Sequence, residues 1–423
     1  MGIQRHSTFF TAFFSACTLI IAFSAYASLS SNITLQSVLE KGLPVLAIDT
    51  EGGKKIKSRD EYLKATYLYF EAGSSSASLG GSCKIRGRGN TTWETRELYK
   101  KPYLLKLDEA ASFSSFPAAE KWVLMANTAD KTQLRNSYAT HLSKTAFSGG
   151  IWQSSCSFIN LFVNGSYNGL YAITEKIEMT PERIPLEEEK GSFLFEVNTR
   201  QDQDWNFRTK NGVPFSIRTS LTPEKRRFVA QQEKIQKAEC ILFGEEFTDG
   251  ERGWRTVLDE VSFADWYLLN ELTKNHDAKF QSSCYMYYNS ENGKIHMGPA
   301  WDFDISCGNI SWDDCDKPEG FWVAKASWYE RLFEDPKFVE FVQKRWTEER
   351  GKIEESLNWL DEQAENLEDE IMLNDAVWKN IGRRQWPHAP GWRSRKTHGD
   401  EITYMKDWLK KRIAWLDEEL FKL

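Results

Sequence analysis

The sequence predicts an α+β protein with antiparallel sheets and hairpins and a helical C-terminal subdomain. Three observations predict it. Alternating apolar segments recur between residues 45 and 173. Two Asn-Gly pairs, Asn164-Gly165 and Asn292-Gly293, sit between apolar runs, and Asn-Gly favours the turn that matches strand twist. From Pro336 onward, apolar residues recur at helical spacing among charged ones.

Residues 45–48 and 67–70 read as short strands. The Gly/Ser stretch 73–81 reads as a flexible break. Residues 83–86, 102–107 and 121–125 are the next strands, with a polar glycine loop at 87–93. Residues 132–147 carry a helical pattern, and 157–173 form the first hairpin around Asn164-Gly165. Residues 221–243 are charged and helix-permissive. Ser262 with Asp265 has capping-box spacing, and Phe263, Trp266, Leu269 and Leu272 give the following helix an apolar face. That helix is expected to end near Asn275-His276-Asp277. Residues 285–297 form the second hairpin. Helices are expected over 338–346, 352–372 and 399–422, interrupted by Trp386-Pro387-His388-Ala389-Pro390-Gly391.

The 423 residues suffice for one large domain or two ordinary ones. We divide them into a signal peptide (1–27), an N-terminal strand region (28–80), a core (81–320) and a helical subdomain (321–423). Arg5 and His6 precede an apolar run over residues 9–23, and Ala25-Tyr26-Ala27 supplies the small residues of a cleavage site. The run is shorter than the ~20 residues of a spanning helix. Cleavage after Ala27 leaves no membrane anchor and an exported protein, whether extracellular, at the cell surface or periplasmic. Six cysteines then remain, enough for three disulfides, with Cys307 and Cys315 close enough for a local loop. Asn32, Asn90, Asn164 and Asn309 begin glycosylation sequons. A net charge of -7 lacks the basic footprint of a nucleic-acid partner. The 17 tryptophans fit a large aromatic core or a stacking surface for carbohydrate or nucleoside.

The chemistry concentrates in Pro299-Ala300-Trp301-Asp302-Phe303-Asp304. If that segment is extended, Asp302 and Asp304 point to one face and need a cation such as Mg2+. Asp277 sits one hairpin upstream. A helix, an Asp in a loop, a hairpin and a later Asp is a layout used for phosphoryl transfer. There one carboxylate accepts a hydroxyl proton and others hold the metal on the phosphates. A strand lysine partnered by a glutamate would position the phosphates, and Lys106 and Glu175 are the candidates by placement. The glycine loop with Arg88 and Asn90 would add backbone N–H groups and a positive charge.

Seven ordered blocks carry a family resemblance. They are Lys84-Ile85-Arg86-Gly87-Arg88-Gly89-Asn90-Thr91-Thr92-Trp93, Lys100-Lys101-Pro102-Tyr103, Trp122-Val123-Leu124-Met125-Ala126-Asn127, Leu134-Arg135-Asn136, Val163-Asn164-Gly165-Ser166-Tyr167-Asn168-Gly169-Leu170-Tyr171, Lys274-Asn275-His276-Asp277-Ala278 and the Asp302 segment. In this order, from about residue 81 to 308, the chain resembles the spore coat protein H (CotH) kinase family. The resemblance implies an atypical protein-kinase-like fold, ATP and Mg2+ (or Mn2+) as cofactors, and Ser/Thr hydroxyls of a protein as acceptors. It implies that Asp277 and the Asp302/Asp304 pair lie in the catalytic site, with Trp301 near the nucleotide. Two alternatives stay open. One is a non-catalytic cell-surface or polysaccharide-associated protein on the same scaffold. The other is a glycosidase, whose two carboxylates stand ~5 to 9.5 Å apart.

Overall fold

The computed structural model describes residues 33–218 and 224–423. The expected signal segment and the Asn32 sequon lie outside the described residues. A short helix, α1 (Leu35–Leu39), precedes β1 (Val45–Thr50), β2 (Leu63–Phe70) and β3 (Leu79–Gly87). A helical turn, α2 (Thr91–Glu94), leads to β4 (Tyr103–Ala111) and β5 (Ala119–Met125). Helix α3 (Arg135–Thr145) separates these from the hairpin of β6 (Cys156–Val163) and β7 (Ser166–Glu175).

These seven strands close into a barrel in the order β1-β2-β3-β4-β5-β7-β6. The expected antiparallel pairing holds except at the seam. There β1 runs parallel to β6, from Val45 opposite Asn160 to Ile48 opposite Val163. Closure removes the exposed edges an open sheet would present. Alternate side chains point inward. Ile48, Ile85, Leu105, Leu107, Trp122, Leu124, Ile159 and Ile173 form one buried cluster there. Phe113, from the β4–β5 connection, packs edge-on against Trp122 at 5.1 Å. In the hairpin turn Asn164 (φ 50°) and Gly165 (φ 73°) both take left-handed backbone, which the Asn-Gly pair tolerates. The expected break at 73–81 ends sooner, because Leu79, Gly80 and Gly81 pair with Tyr69, Leu68 and Tyr67. A Cβ on Gly80 would fall 2.8 Å from a Leu68 methyl and 3.1 Å from the Tyr67 carbonyl, so a larger residue there would force Leu68 to shift.

The second sheet contains β8 (Phe193–Asn198), β9 (Asn206–Arg208), β10 (Pro214–Ile217), β11 (Ser282–Asn289) and β12 (Lys294–Met297). Its order is β12-β11-β8-β10-β9, antiparallel throughout. Helices α4 (Lys225–Leu242), α5 (Glu260–Thr273), α6 (Ser327–Leu332), α7 (Pro336–Asn366), α8 (Glu368–Trp378) and α9 (His398–Glu419) complete the mixed α+β architecture.

Helix α5 is buried along its whole length from Ser262 to Thr273. Its cap differs from expectation. Asp259 caps it, accepting from the Ser262 N–H at 2.9 Å, so the helix begins at Glu260. Asp265 is buried one turn further in, gripped by Arg345 at 2.8 and 3.0 Å. The two expected helices over 338–346 and 352–372 are redistributed. Helix α7 runs unbroken to Asn366 and α8 starts at Glu368. Asp335 and Pro336 start α7, and Phe338, Val342, Trp346, Ile353, Leu357 and Leu360 bury one stripe. Each such side chain contributes about 1.5–3 kcal/mol.

The expectation of three disulfides is corrected: the six cysteines in the described residues are free. They sit on separate elements, Cys83 inside the barrel, Cys240 exposed on α4, Cys284 on β11. Cys307 and Cys315 share a loop but remain unbonded, and burial pushes their thiols up to about 11 and about 12. The Asn309 sequon is buried, its amide donating to the carbonyls of Ala129 (3.0 Å) and Asp304 (2.6 Å). Among the described residues no tryptophan is an exposed hydrophobic; Trp122, Trp254, Trp328 and Trp346 are core, whereas others, Trp301 among them, are part-buried. No helix of the described residues is long and apolar enough to cross a membrane.

Candidate active site

Helix α5 ends with Lys274 in left-handed backbone (φ 46°), and a helical turn at His276–Ala278 carries Asp277 outward. The Asp277 carboxylate is fixed on both sides. One oxygen lies 3.3 Å from His276 Nδ1, and the other accepts from Ser282 Oγ at 3.0 Å. Behind this turn, Glu271 and Arg412 form a fully buried ion pair at 2.6 Å. The Glu271 carboxylate also accepts the N–H groups of Trp322, Val323 and Ala324 at 2.7 to 2.9 Å. The last long helix, α9, is thereby tied to the base of the Asp277 turn.

Strand β12 ends at Met297, and Pro299 has no N–H to continue the ladder. The condition of an extended Asp302 segment is not met. Asp302 lies in left-handed backbone (φ 69°), a conformation rare outside glycine and concentrated at functional sites. The carboxylates still meet electrostatically. Burial raises the pKa of Asp302, and the charge of Asp277 raises it further, while Arg88 and a 3.0 Å bond from Ser283 Oγ pull it back. Asp304 is raised well above the carboxylate range by burial, then by Asp302 and Asp277.

The segment is anchored by residues distant in sequence. Asn136 accepts the Phe303 N–H at 2.8 Å, 167 residues away. Arg135 donates to the carbonyls of Ser306 (3.0 Å) and Cys307 (3.3 Å) and pairs with buried Asp130. Asn275 donates to the Asp302 carbonyl at 3.3 Å, while its own side-chain oxygen is buried without a hydrogen-bond partner.

A basic flank faces the carboxylates where the barrel meets the second sheet. Arg88, just beyond β3, lies over the Trp301 ring at 5.3 Å and beside Asp302. Arg218 pairs with Glu196 at 3.6 Å, and Tyr285 hydrogen-bonds Glu196. Beyond them, Glu178 gathers Arg183 at 2.5 Å, Lys121 at 2.9 Å and Lys176 at 3.2 Å. Burial lowers Lys176 from 10.5 to about 8, with Glu178 pulling it upward.

The structure thus brings Asp277, Asp302, Asp304, Arg88 and Trp301 together. Asn90 is exposed and accepts from Arg59 at 2.7 Å. Glu175 is buried at the end of β7 and accepts the Ser155 N–H at 2.9 Å. Lys106 lies on the outer face of β4, in register with Lys84 and Lys121. No ion pair joins Lys106 to Glu175 among the described residues. The carboxylate that gathers lysines is Glu178, three residues further on. The sequence reading missed Glu178 as that partner, along with Ser282, Ser283, Asn275 and Asn136. Only the Leu134-Arg135-Asn136 and Lys274-Asn275 blocks carried a signal for any of them.

Among the described residues, no three His, Cys, Asp or Glu side chains form a ready metal cage. Mg2+ needs no such cage, because it binds through one or two carboxylates plus phosphate oxygens and water. Two crowded carboxylates, buried Asp304 and part-buried Asp302, and the orphaned Asn275 oxygen fit that donor set.

Residues 85–416 match the CotH kinase protein family. The chain belongs to that family. The match covers the barrel from β3 onward, the second sheet and the C-terminal helices into α9. It reaches well past the blocks that end near residue 308, so the helical tail is part of what defines a CotH kinase protein. No curated protein matches the chain. Family membership implies kinase chemistry with ATP and a divalent cation.

Proposed function

We propose that this chain is an exported atypical protein kinase. It transfers the terminal phosphoryl group of ATP to Ser/Thr hydroxyls of a protein, with Mg2+ or Mn2+. On this reading the barrel and the second sheet form a kinase-like pair of lobes around the nucleotide. One observation carries the proposal: three mutually repelling carboxylates face a basic flank across the same site, in a CotH family member.

Asp277 takes the acceptor proton, since Ser282 and His276 hold its carboxylate in one orientation. Asp302 and Asp304, with the Asn275 oxygen, would hold the metal, which neutralises charge on the phosphate oxygens when bound. Arg88 and Lys176 offset the remaining phosphate charge, and the Trp301 ring offers the nucleobase an apolar face. Export rests on the N-terminal segment of the sequence.

A thermal-shift series with ATP, ADP and AMP, with and without Mg2+, tests the reading. A ligand at 100 times its Kd stabilises by about 2.7 kcal/mol. The expected result is a metal-dependent rise with ATP that disappears in Asp302→Ala. No rise and no autophosphorylation, or an identical rise in Asp302→Ala, overturns it.

A further inference from the structure

Beside the Asp277 turn lies an open groove of about 630 Å³. Val213 and Pro214 of the β9–β10 hairpin form one wall. Lys279 and Gln281 form the wall nearest Asp277, and Trp322 and Lys325 the third. The groove is mechanically joined to the site. The Trp322 indole N–H donates to the His276 carbonyl at 3.0 Å, and its ring stacks on His276 at 5.3 Å. Asp313, also lining the groove, lies 2.9 Å from His276 Nε2.

The charges of the lining are unevenly satisfied. Asp313 is held by His276, and Asp314 by Lys317 at 2.7 Å. Lys279 and Lys325 make no ion pair among the described residues. Lys325 is exposed, and the Lys279 ammonium sits 4.5 Å over the Trp322 ring, which holds it at the groove. The groove therefore presents two cations with no ion-pair partner among the described residues, beside Asp314, paired with Lys317, and Asp313, whose contact is the His276 ring.

We infer that this groove seats the acceptor segment, and that the segment is acidic: a Ser or Thr flanked by Asp or Glu. The acceptor role rests on the kinase reading of Asp277, whereas the binding preference does not. Complementary charge selects partners even where it adds modest affinity. A basic segment would meet Lys279 and Lys325 as like charges.

The test is fluorescence anisotropy on the full chain with two labelled Ser peptides, one flanked by Glu and one by Lys. The acidic peptide is expected to bind about tenfold tighter, roughly 1.4 kcal/mol. Lys279→Glu/Lys325→Glu should abolish that preference while the ATP-induced thermal shift persists. Lys325→Glu alone, at an exposed position, should move affinity the same way by about threefold. Equal binding, preference for the basic peptide, or an unchanged preference in Lys325→Glu overturns the inference. A chain that binds acidic peptide but no nucleotide sinks the kinase reading and leaves the groove. Nucleotide binding without the peptide preference does the reverse.

Discussion

Replacing Glu178 by Gln tests the basic flank most directly. Glu178 holds three cations, but they are not equivalent. The Arg183 pair is buried, at 1% and 12% side-chain exposure, whereas Lys121 and Lys176 are about a third exposed. Removing one partner of a buried pair costs about 3–5 kcal/mol, and each exposed pair at most about 1. Gln keeps an acceptor for Arg183, and Arg183 keeps its 2.7 Å bonds to the Lys176 and Lys121 carbonyls. The expected loss is therefore near the lower end, about 3 kcal/mol, or about 3–4 °C in Tm for a chain of this size. The electrostatic consequence is more diagnostic. Lys176 stands at about 8 because burial lowers it and Glu178 pulls it up. Between about 8 and 10.5 the unfolded chain binds this proton more tightly, so the stability contribution of Lys176 rises with pH across that window. Nucleotide affinity runs the other way, falling as the free protein loses the Lys176 charge near pH 8. In Glu178→Gln both inflections should move to lower pH. Calorimetric titration of nucleotide from neutral to alkaline pH reads the affinity. An unchanged Tm with an unmoved inflection refutes the assignment of Glu178 and Lys176 to the phosphate flank.

Three further outcomes are expected. Asp277→Asn should lower phosphotransfer by about 10²- to 10⁴-fold while the ATP-induced thermal shift survives, and retained turnover excludes Asp277 as the base. Asp304 is raised by burial and by Asp302 and Asp277, so its contribution is complete below the ordinary carboxylate range and is lost as pH rises. Asp304→Asn should then stabilise the metal-free protein at neutral pH by about 0.5–2 kcal/mol and remove the gain from Mg2+; a lower metal-free Tm contradicts this. Arg412→Met should cost about 3–5 kcal/mol in denaturant unfolding, because it strands the buried Glu271 carboxylate.

Much of the barrel was legible because a strand buried on one face writes its period of two into the sequence. Ile85, Leu105, Leu107, Trp122 and Leu124 all fall inside as that alternation requires. The parallel seam between β1 and β6 left no local mark, since pairing across more than a hundred residues depends on closure. At the site, chemistry was more legible than geometry. Asp277, Asp302 and Asp304 meet, yet not through an extended segment, because Pro299 ends the ladder and Asp302 turns left-handed. Strand parity carries Lys106 to the outer face between Lys84 and Lys121, and the carboxylate that gathers lysines lies beyond the strand end, where alternation no longer indicates direction. Arg135 and Asn136 stand out only as part of a resemblance block, and no local pattern shows that they bind a segment about 170 residues downstream.

The Glu271–Arg412 pair gives the chain an order of assembly. A nascent chain can complete the barrel, the second sheet and the Asp277 turn before residue 412 exists. Until α9 docks, however, the carboxylate beneath that turn has no counter-ion, and the wall from Trp322 to Ala324 hangs on it alone. The footing of the Asp277 turn is thus one of the last features the polypeptide acquires. Nonsense or proteolytic loss of α9 would therefore strand the Glu271 carboxylate beneath the Asp277 turn, whereas every barrel strand precedes it in the chain.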